Sequence, residues 1–250
     1  MCSSDLSAIQ NLSQYTLKIS NSCEYRCIGC SIWKEKETSL EVWKKLIDEN
    51  LFFKKYPQKK VFNLVGGEPL NCLDIQRILL YLRDYEIKAR VWTHGGYELD
   101  YFEKLNGLVS EYVLFFPATT KKEYQEYTGK DSWENFNETC RYLISQKQYF
   151  WISYPVTSDS VQEIPAAYEL AYQLNAKLLL HFSSRNNMSK ESKRYINRFR
   201  RVRNVWVLKE ASYNSSYCCS VPIQALNSRF QLFRNIVDDG LGSFRRIFGY

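Results

Sequence analysis

Three cysteines lie close together near the start of the chain, at Cys23, Cys27 and Cys30, with the spacing C-x3-C-x2-C. Three thiolates on one short loop can bind a metal centre, because the thiolate is the form of cysteine that ligates metals. The alternating segment 15–20 predicts a strand directly before them. The chain must therefore fold so that a metal-binding loop follows the end of a strand.

The number of cysteines in this loop limits the kind of metal centre. A structural zinc site has four protein ligands, so a zinc site here would need Cys72 or a histidine as its fourth ligand. A 4Fe-4S cluster normally takes four cysteines. A cluster held by only three would leave one iron open to bind and activate another molecule. The cysteines alone leave both centres possible.

A second motif follows the predicted second strand. The largely apolar run 61–65 ends in the sequence Gly-Gly-Glu-Pro at 66–69. Together the two motifs resemble the radical S-adenosylmethionine (radical SAM) superfamily, in which C-x3-C-x2-C follows the first strand of a partial (β/α) barrel and GGEP ends the second. A weaker similarity is seen at 93–96, where many relatives have a Thr-Asn-Gly-like turn and this chain has Thr-His-Gly-Gly. The resemblance covers residues 15 to 182.

The resemblance implies a role for each residue of the motifs. Cys23, Cys27 and Cys30 would hold one 4Fe-4S cluster, and S-adenosyl-L-methionine (SAM) would chelate the open iron. Glu68 would accept a hydrogen bond from the SAM amino group. The resemblance assigns four further residues to SAM binding: Gly66, Gly67, Pro69 and Thr93. The glycines would let the backbone approach closely, and the alternative for Thr93 is a capping hydroxyl at the strand end.

The implied activity is reductive cleavage of SAM to methionine and a 5'-deoxyadenosyl radical, which abstracts hydrogen from a substrate. The substrate would be a small molecule or a peptide, and the electron would come from a donor such as flavodoxin or ferredoxin. The alternative is a non-catalytic iron-sulfur or zinc protein that acts in electron transfer or partner binding. No residue is assigned as catalytic, because substrate choice depends on loops rather than on the fold.

The chain departs from the family pattern in two places. Gly29 precedes the third cysteine, where relatives usually carry an aromatic residue. The predicted fourth strand ends in Phe-Phe-Pro-Ala at 115–118, where many relatives place a serine and an aspartate, so the usual polar contact to SAM is not expected there. Both histidines, His94 and His181, follow or end predicted strands, and we interpret them as structural residues.

Strands and helices alternate along the chain. The predicted strands are 15–20, 61–65, 89–93, 112–116, 149–156 and 178–182. Helices are predicted to begin near 38, 74, 100, 131 and 164. Six strand–helix units predict an α/β fold with a parallel sheet, and this agrees with the partial (β/α)6 TIM-type barrel that the resemblance implies. The large aromatic residues of these strands are expected in the core: Trp92, Phe115, Phe116, Trp151 and Tyr154.

The 250 residues are expected to form a single domain. Its core would span about 15–184, and 185–250 would be a C-terminal extension with a strand at 205–208, a hairpin and helical parts. The only cysteines in the extension are Cys218 and Cys219, which are too few for an auxiliary cluster. We therefore interpret the extension as a cluster-free, twitch-like remnant.

The chain carries a net charge of +7, and its basic residues crowd segment 190–203. The interleaved apolar residues of that segment favour a solvated helix face over a nucleic-acid site. Eight cysteines in a chain of this length, three of them clustered, favour metal binding over disulfides. Segment 1–7 has neither a basic nor an apolar region, and no run is long enough to span a membrane. We therefore expect a cytoplasmic protein.

Overall fold

A computed structural model describes residues 13–28, 30, 60–183 and 188–210. Several predictions concern residues outside these ranges. They are the helix near 38, the hairpin of the extension, and the interpretations of Gly29, Cys218 and Cys219.

Seven strands form one parallel sheet, and each strand pairs with the next in chain order. They are β1 (Ser13–Ser20), β2 (Lys60–Gly66), β3 (Lys88–Thr93), β4 (Glu111–Phe115), β5 (Phe150–Pro155), β6 (Lys177–Ser183) and β7 (Val205–Glu210). Among the described residues β1 and β7 do not pair, so the sheet is open. This confirms the predicted partial barrel. The strand predicted at 205–208 continues the sheet in parallel as β7.

Within the described ranges, six α-helices and two 3-10 turns lie between the strands. The helices are α1 (Ile75–Asp84), α2 (Leu99–Glu103), α3 (Lys121–Thr128), α4 (Trp133–Ser145), α5 (Ile164–Gln173) and α6 (Lys190–Phe199), and the 3-10 turns are Pro69–Asn71 and Val161–Glu163. Helix α2 ends at Glu103, whereas the sequence pattern predicts a helix from Asp100 to Leu108. Helix α3 was not predicted, because it is polar and lacks a long apolar stripe. Its capping box was the available signal, since the Thr120 hydroxyl accepts a hydrogen bond from the Glu123 N–H.

Buried side chains lie on both faces of the sheet. On β3, Ala89 and Val91 belong to the main core, which also contains the apolar stripe of α1. Trp92 points to the opposite face and packs in a second, smaller cluster with Val65, Val113, Trp151 and Leu179. This alternation is what a strand buried on both faces requires. All five aromatic residues expected in the core are buried, as predicted.

The basic segment contains helix α6, which presents two faces of opposite character. Ile196 and Phe199 are fully buried, whereas the cationic side chains around them are mostly exposed. The described part of the molecule therefore agrees with a solvated helix face. Among the described helices, none has the length and apolar composition needed to cross a membrane.

Candidate functional site

The cysteine loop leaves the end of β1, as predicted. Cys23 and Cys27 are buried and Cys30 is partly exposed, and none of the three forms a disulfide with another described cysteine. The loop is folded on itself, because the Arg26 guanidinium donates hydrogen bonds to the carbonyl oxygens of Cys23 at 2.7 Å and Tyr25 at 2.9 Å. The N–H of Cys30 donates to the Cys27 carbonyl at 3.0 Å. These hydrogen bonds hold the backbone of the loop between Cys23 and Cys30.

Residues at the C-terminal end of α3 hold this loop in place. The N–H groups of Arg26 and Ile28 donate to the carbonyls of Thr128 and Tyr127, at 2.8 and 3.0 Å. A Cβ added at Gly129 would lie 3.0 Å from the Arg26 Cβ, so a larger residue would crowd the loop. These contacts form two backbone hydrogen bonds between segments that are distant in sequence.

The charged side chain of Lys130 also contacts the cysteine loop. Its ammonium forms an ion pair with Glu24, and it lies 5.1 Å from the ring centroids of both Tyr25 and Tyr97. A cation above aromatic faces is favourable by about 0.5–2 kcal/mol. Burial raises the pKa of both tyrosines far above their usual range, so both phenols stay neutral.

The Gly-Gly-Glu-Pro turn lies directly against the start of the cysteine loop. The N–H groups of Gly67 and Glu68 donate to the carbonyls of Ser20 and Ser22, both at 2.8 Å. A Cβ added at Gly66 would lie 2.1 Å from the Ser20 carbonyl oxygen, and one added at Gly67 would lie 2.3 Å from the Ser22 carbonyl oxygen. The two glycines therefore permit contact between the chain's own two motifs, whereas the sequence had predicted close approach to a ligand.

The Glu68 carboxylate is completely buried at the end of β2. One oxygen, Oε1, accepts a hydrogen bond from the Leu70 N–H at 3.1 Å. The other, Oε2, accepts from the backbone N–H of His94 at 2.9 Å. Pro69 follows at the first position of the 3-10 turn, where its missing N–H costs no hydrogen bond. The turn thus fixes the direction of the carboxylate.

His94 joins the two motifs. It lies directly after β3 and is fully buried. Its Nδ1 is 3.2 Å from Glu68 Oε2, and its Nε2 is 3.1 Å from Cys27 Sγ. The ring also stacks on Tyr25, with centroids 3.8 Å apart and planes 6° from parallel. One imidazole therefore contacts both the predicted SAM-binding carboxylate and a predicted cluster ligand.

Two neighbours of this histidine complete the end of β3. The Thr93 hydroxyl accepts a hydrogen bond from the Gly95 N–H at 3.1 Å, which is the capping arrangement considered as the alternative to SAM binding. The Tyr25 hydroxyl donates to the Gly96 carbonyl at 3.1 Å and lies 3.1 Å from the Ser132 hydroxyl. These contacts attach the cysteine loop to the turn at 93–96.

The end of β4 is apolar, as its sequence indicates. Phe115 lies edge-on to His94 at 5.3 Å and edge-on to His181 at 6.2 Å. Phe116 packs against Phe136, with ring centroids 4.9 Å apart. Burial lowers the pKa of His181 to about 4, so this imidazole is neutral at pH 7. The two histidines thus lie on either side of one phenyl ring.

The donor set at this site suits an iron-sulfur cluster. Within the described residues, no three histidine, cysteine, aspartate or glutamate side chains are gathered so that they could share one metal ion. In a 4Fe-4S cluster each cysteine binds a different iron, so the three sulfurs need not converge on a single metal ion. Three cysteines on one loop, with no disulfide among Cys23, Cys27 and Cys30, fit a cluster that keeps one iron open.

The family of the chain follows from its sequence as a whole. The model of the radical SAM superfamily matches residues 17–171. This match covers more than half of the chain, and it contains both motifs, the second half of β1 and all of β2 to β5. The chain therefore belongs to the radical SAM superfamily. No curated protein sequence matches it.

Solved structures share the fold at low sequence identity. Streptococcus suis SuiB bound to S-adenosylmethionine is 15% identical with a TM-score of 0.61, and the match covers 81% of this chain and 51% of SuiB. Native anSMEcpe with bound AdoMet is 20% identical with a TM-score of 0.55, covering 68% and 50%. Methylornithine synthase (PylB) is 11% identical with a TM-score of 0.58, covering 76% and 62%. The match thus spans about half the length of SuiB and anSMEcpe.

The structure brings most of the predicted site residues together. The loop with Cys27 and the turn with Glu68 are in direct backbone contact, and Thr93 lies beside them. His94 was interpreted from sequence as structural, which its complete burial agrees with, but its contacts with Glu68 and Cys27 were not predicted. The available signal was the substitution of histidine for the Asn-like position after the third strand. Tyr25 was also missed, and nothing in the sequence distinguishes it from other buried tyrosines.

Proposed function

We propose that this chain is a radical SAM enzyme that binds one 4Fe-4S cluster through Cys23, Cys27 and Cys30. The observation that supports this most is the buried chain of contacts from Glu68 through His94 to Cys27. Only the side chain of His94 lies between the Glu68 carboxylate and the sulfur of Cys27 along this chain of contacts. A carboxylate with this position can orient a ligand amino group beside the open iron.

Each residue of the site has a defined task in this proposal. When bound and reduced, the cluster supplies the electron that cleaves SAM into methionine and a 5'-deoxyadenosyl radical. Glu68 accepts a hydrogen bond from the SAM amino group, and the turn formed by Gly66, Gly67 and Pro69 holds that carboxylate in place. Thr93 lies beside it and can offer its hydroxyl proton to SAM.

Exclusion of water is the second task of the protein. Phe115 and Tyr25 are almost fully buried beside His94, so the end of the sheet near Cys27 is lined by aromatic rings. Such a lining lowers the local polarity and keeps water away from reactive species. The aromatic end of β4 therefore has a protective role in this proposal.

A peptide or a small molecule is the proposed substrate. Two similar structures are complexes with peptides, namely SuiB with the precursor peptide SuiA and anSMEcpe with the Kp18Cys peptide. A third neighbour is methylornithine synthase, whose name indicates a small molecule. An electron donor such as flavodoxin or ferredoxin would act in a reducing, cytoplasmic compartment.

Reductive cleavage of SAM is the direct test. The full chain is purified and reconstituted with iron and sulfide without oxygen, then reduced with dithionite and given SAM. We expect 5'-deoxyadenosine from the wild type, loss of the cluster in Cys27→Ala, and an intact cluster without cleavage in Glu68→Gln. Cys140→Ala is the matched control, because Cys140 is buried in the core. A wild type with a full cluster and no SAM binding would contradict the proposal and favour electron transfer or partner binding.

A zinc site is the second candidate, and one contact favours it. His94 Nε2 lies 3.1 Å from Cys27 Sγ, so a histidine lies next to one of the three cysteines. A zinc ion would also require Cys23 and Cys30 to move towards this pair, because the described residues do not gather three ligands around one point. Metal analysis of anaerobically purified protein separates the candidates. One equivalent of zinc with no iron would support the zinc site, and about four irons per chain would support the cluster.

A further inference from the structure

We propose that His94 is a positioning residue that donates a hydrogen bond from Nε2 to the Cys27 sulfur and thereby raises the midpoint potential of the cluster. This inference rests on the proposed function, because it requires a cluster on Cys23, Cys27 and Cys30. It goes beyond that function in assigning a role to a side chain outside both motifs.

The geometry of the imidazole carries this inference. Nε2 is 3.1 Å from the Cys27 sulfur, which is short for a contact between nitrogen and sulfur. The ring cannot easily turn away. Tyr25 covers one of its faces at a centroid distance of 3.8 Å, and Phe115 meets it edge-on at 5.3 Å. Both His94 and Cys27 are buried, so water does not compete for the hydrogen bond.

The chemistry of the sulfur decides which atom donates. An iron-bound cysteine is a thiolate, which can only accept, so the shared proton must reside on Nε2. Nδ1 faces Glu68 Oε2 at 3.2 Å, and because two acceptors at this distance repel each other, a second proton must lie between these two atoms. The Glu68 Oε2 atom keeps its hydrogen bond from the backbone N–H of His94 at 2.9 Å.

A hydrogen bond to a cluster sulfur changes the redox potential in a known direction. The reduced cluster carries more negative charge, so a donor stabilises the reduced form more than the oxidised form and raises the midpoint potential. Only the difference in hydrogen-bond strength between the two oxidation states shifts the potential, and we expect it to change the ratio of reduced to oxidised cluster by up to about fivefold. For a one-electron couple this factor is about 40 mV.

The first test compares the midpoint potentials of reconstituted variants. His94→Phe keeps the aromatic stack on Tyr25 and removes the donor, whereas His94→Gln offers an amide N–H. An EPR-monitored redox titration without SAM measures the potential. We expect His94→Phe to disfavour the reduced cluster by up to about fivefold, and His94→Gln to recover part of that change. Equal potentials in three proteins with equal iron and sulfide contents would overturn the inference.

A second measurement does not require a variant at His94. The chain has only two histidines. Labelling with ¹⁵N-histidine in a His181→Gln background therefore places the isotope at His94 alone. Pulsed EPR of the reduced cluster should then show a ¹⁵N coupling, and its absence would overturn the inference. If no cluster assembles in the wild type, the proposed function fails. If a cluster assembles without the coupling or the shift in potential, only this inference fails.

Discussion

Tyr25 stacks face to face on His94, with ring centroids 3.8 Å apart and planes 6° from parallel. This pair joins the cysteine loop to the turn after β3, two segments that the sequence separates widely. The Tyr25 hydroxyl extends the connection to Gly96 and Ser132. The position of the loop thus depends on one aromatic side chain with both an apolar and a polar contact.

Two substitutions at Tyr25 should separate these contacts. Tyr25→Phe keeps the stack and loses the hydroxyl, which leaves buried partners unsatisfied and should cost about 1–3 kcal/mol of unfolding free energy. Tyr25→Leu also loses the ring stack, which should add about 0.5–1.5 kcal/mol. Urea denaturation of the full chain measures both changes. Tyr149→Phe is the control, because Tyr149 is 73% exposed, and its stability should be unchanged. Equal stability of the two Tyr25 variants would contradict a contribution from the stack.

Most of the fold could be predicted from sequence, because its strands carry strong local signals. Strands β2, β4 and β6 read as apolar runs, and each described strand lies within two residues of its predicted bounds. Helix α3 was missed for a physical reason. Only Tyr124 and Thr128 are buried in it, so it has almost no apolar periodicity to detect.

The candidate site was only partly predictable. Cys27 and Glu68 belong to spaced motifs, so sequence alone could identify them. His94 contacts Cys27 across 67 positions, and Tyr25 contacts Ser132 across 107 positions. Such contacts depend on how neighbouring strands align in the sheet, and a single sequence without an aligned family does not contain that information.

The close approach of the two motifs should make Gly67 intolerant of a side chain. In Gly67→Ala the new Cβ would lie 2.3 Å from the Ser22 carbonyl oxygen, so backbone must move and the hydrogen bond from the Glu68 N–H to Ser22 must lengthen. Overpacking of this kind costs about 1–3 kcal/mol, and we expect a value near the upper end. Urea denaturation measures it.

A matched glycine substitution provides the control for Gly67→Ala. At Gly107 nothing lies within 4 Å of an added Cβ, although φ is 74°. Asparagine tolerates this left-handed backbone conformation, so Gly107→Asn should change stability by less than about 1 kcal/mol. If Gly67→Ala were as stable as Gly107→Asn, the steric role of the GGEP glycines would be wrong.

The two faces of α6 should respond differently to substitution. Arg198 is exposed and Phe199 is fully buried. Arg198→Gln should change the unfolding free energy by less than about 0.5 kcal/mol, whereas Phe199→Ala should cost about 3–5 kcal/mol by leaving a cavity. Thermal denaturation compares the variants. A large loss in Arg198→Gln would show that the basic face makes a structural contact and is not simply solvated.

His181 should make the protein less stable as the solution becomes acidic. Burial lowers its pKa from 6.5 to about 4 in the folded state, so between these values the unfolded chain binds more protons than the folded one. Its stabilising contribution is therefore complete above pH 6.5 and is lost as pH falls towards 4. The total loss is about 3 kcal/mol, since one pKa unit corresponds to about 1.4 kcal/mol.

Substitution of this histidine isolates its part of the acid sensitivity. Wild type and His181→Gln are unfolded in urea at several values between pH 7 and 4.5, and the slope of unfolding free energy against pH is compared. The wild-type slope should be steeper by up to about 1.4 kcal/mol per pH unit, because one proton is taken up on unfolding. The carboxylates contribute equally to both proteins, so their effect cancels in the comparison. Parallel slopes would mean that His181 titrates near its usual value in the folded protein.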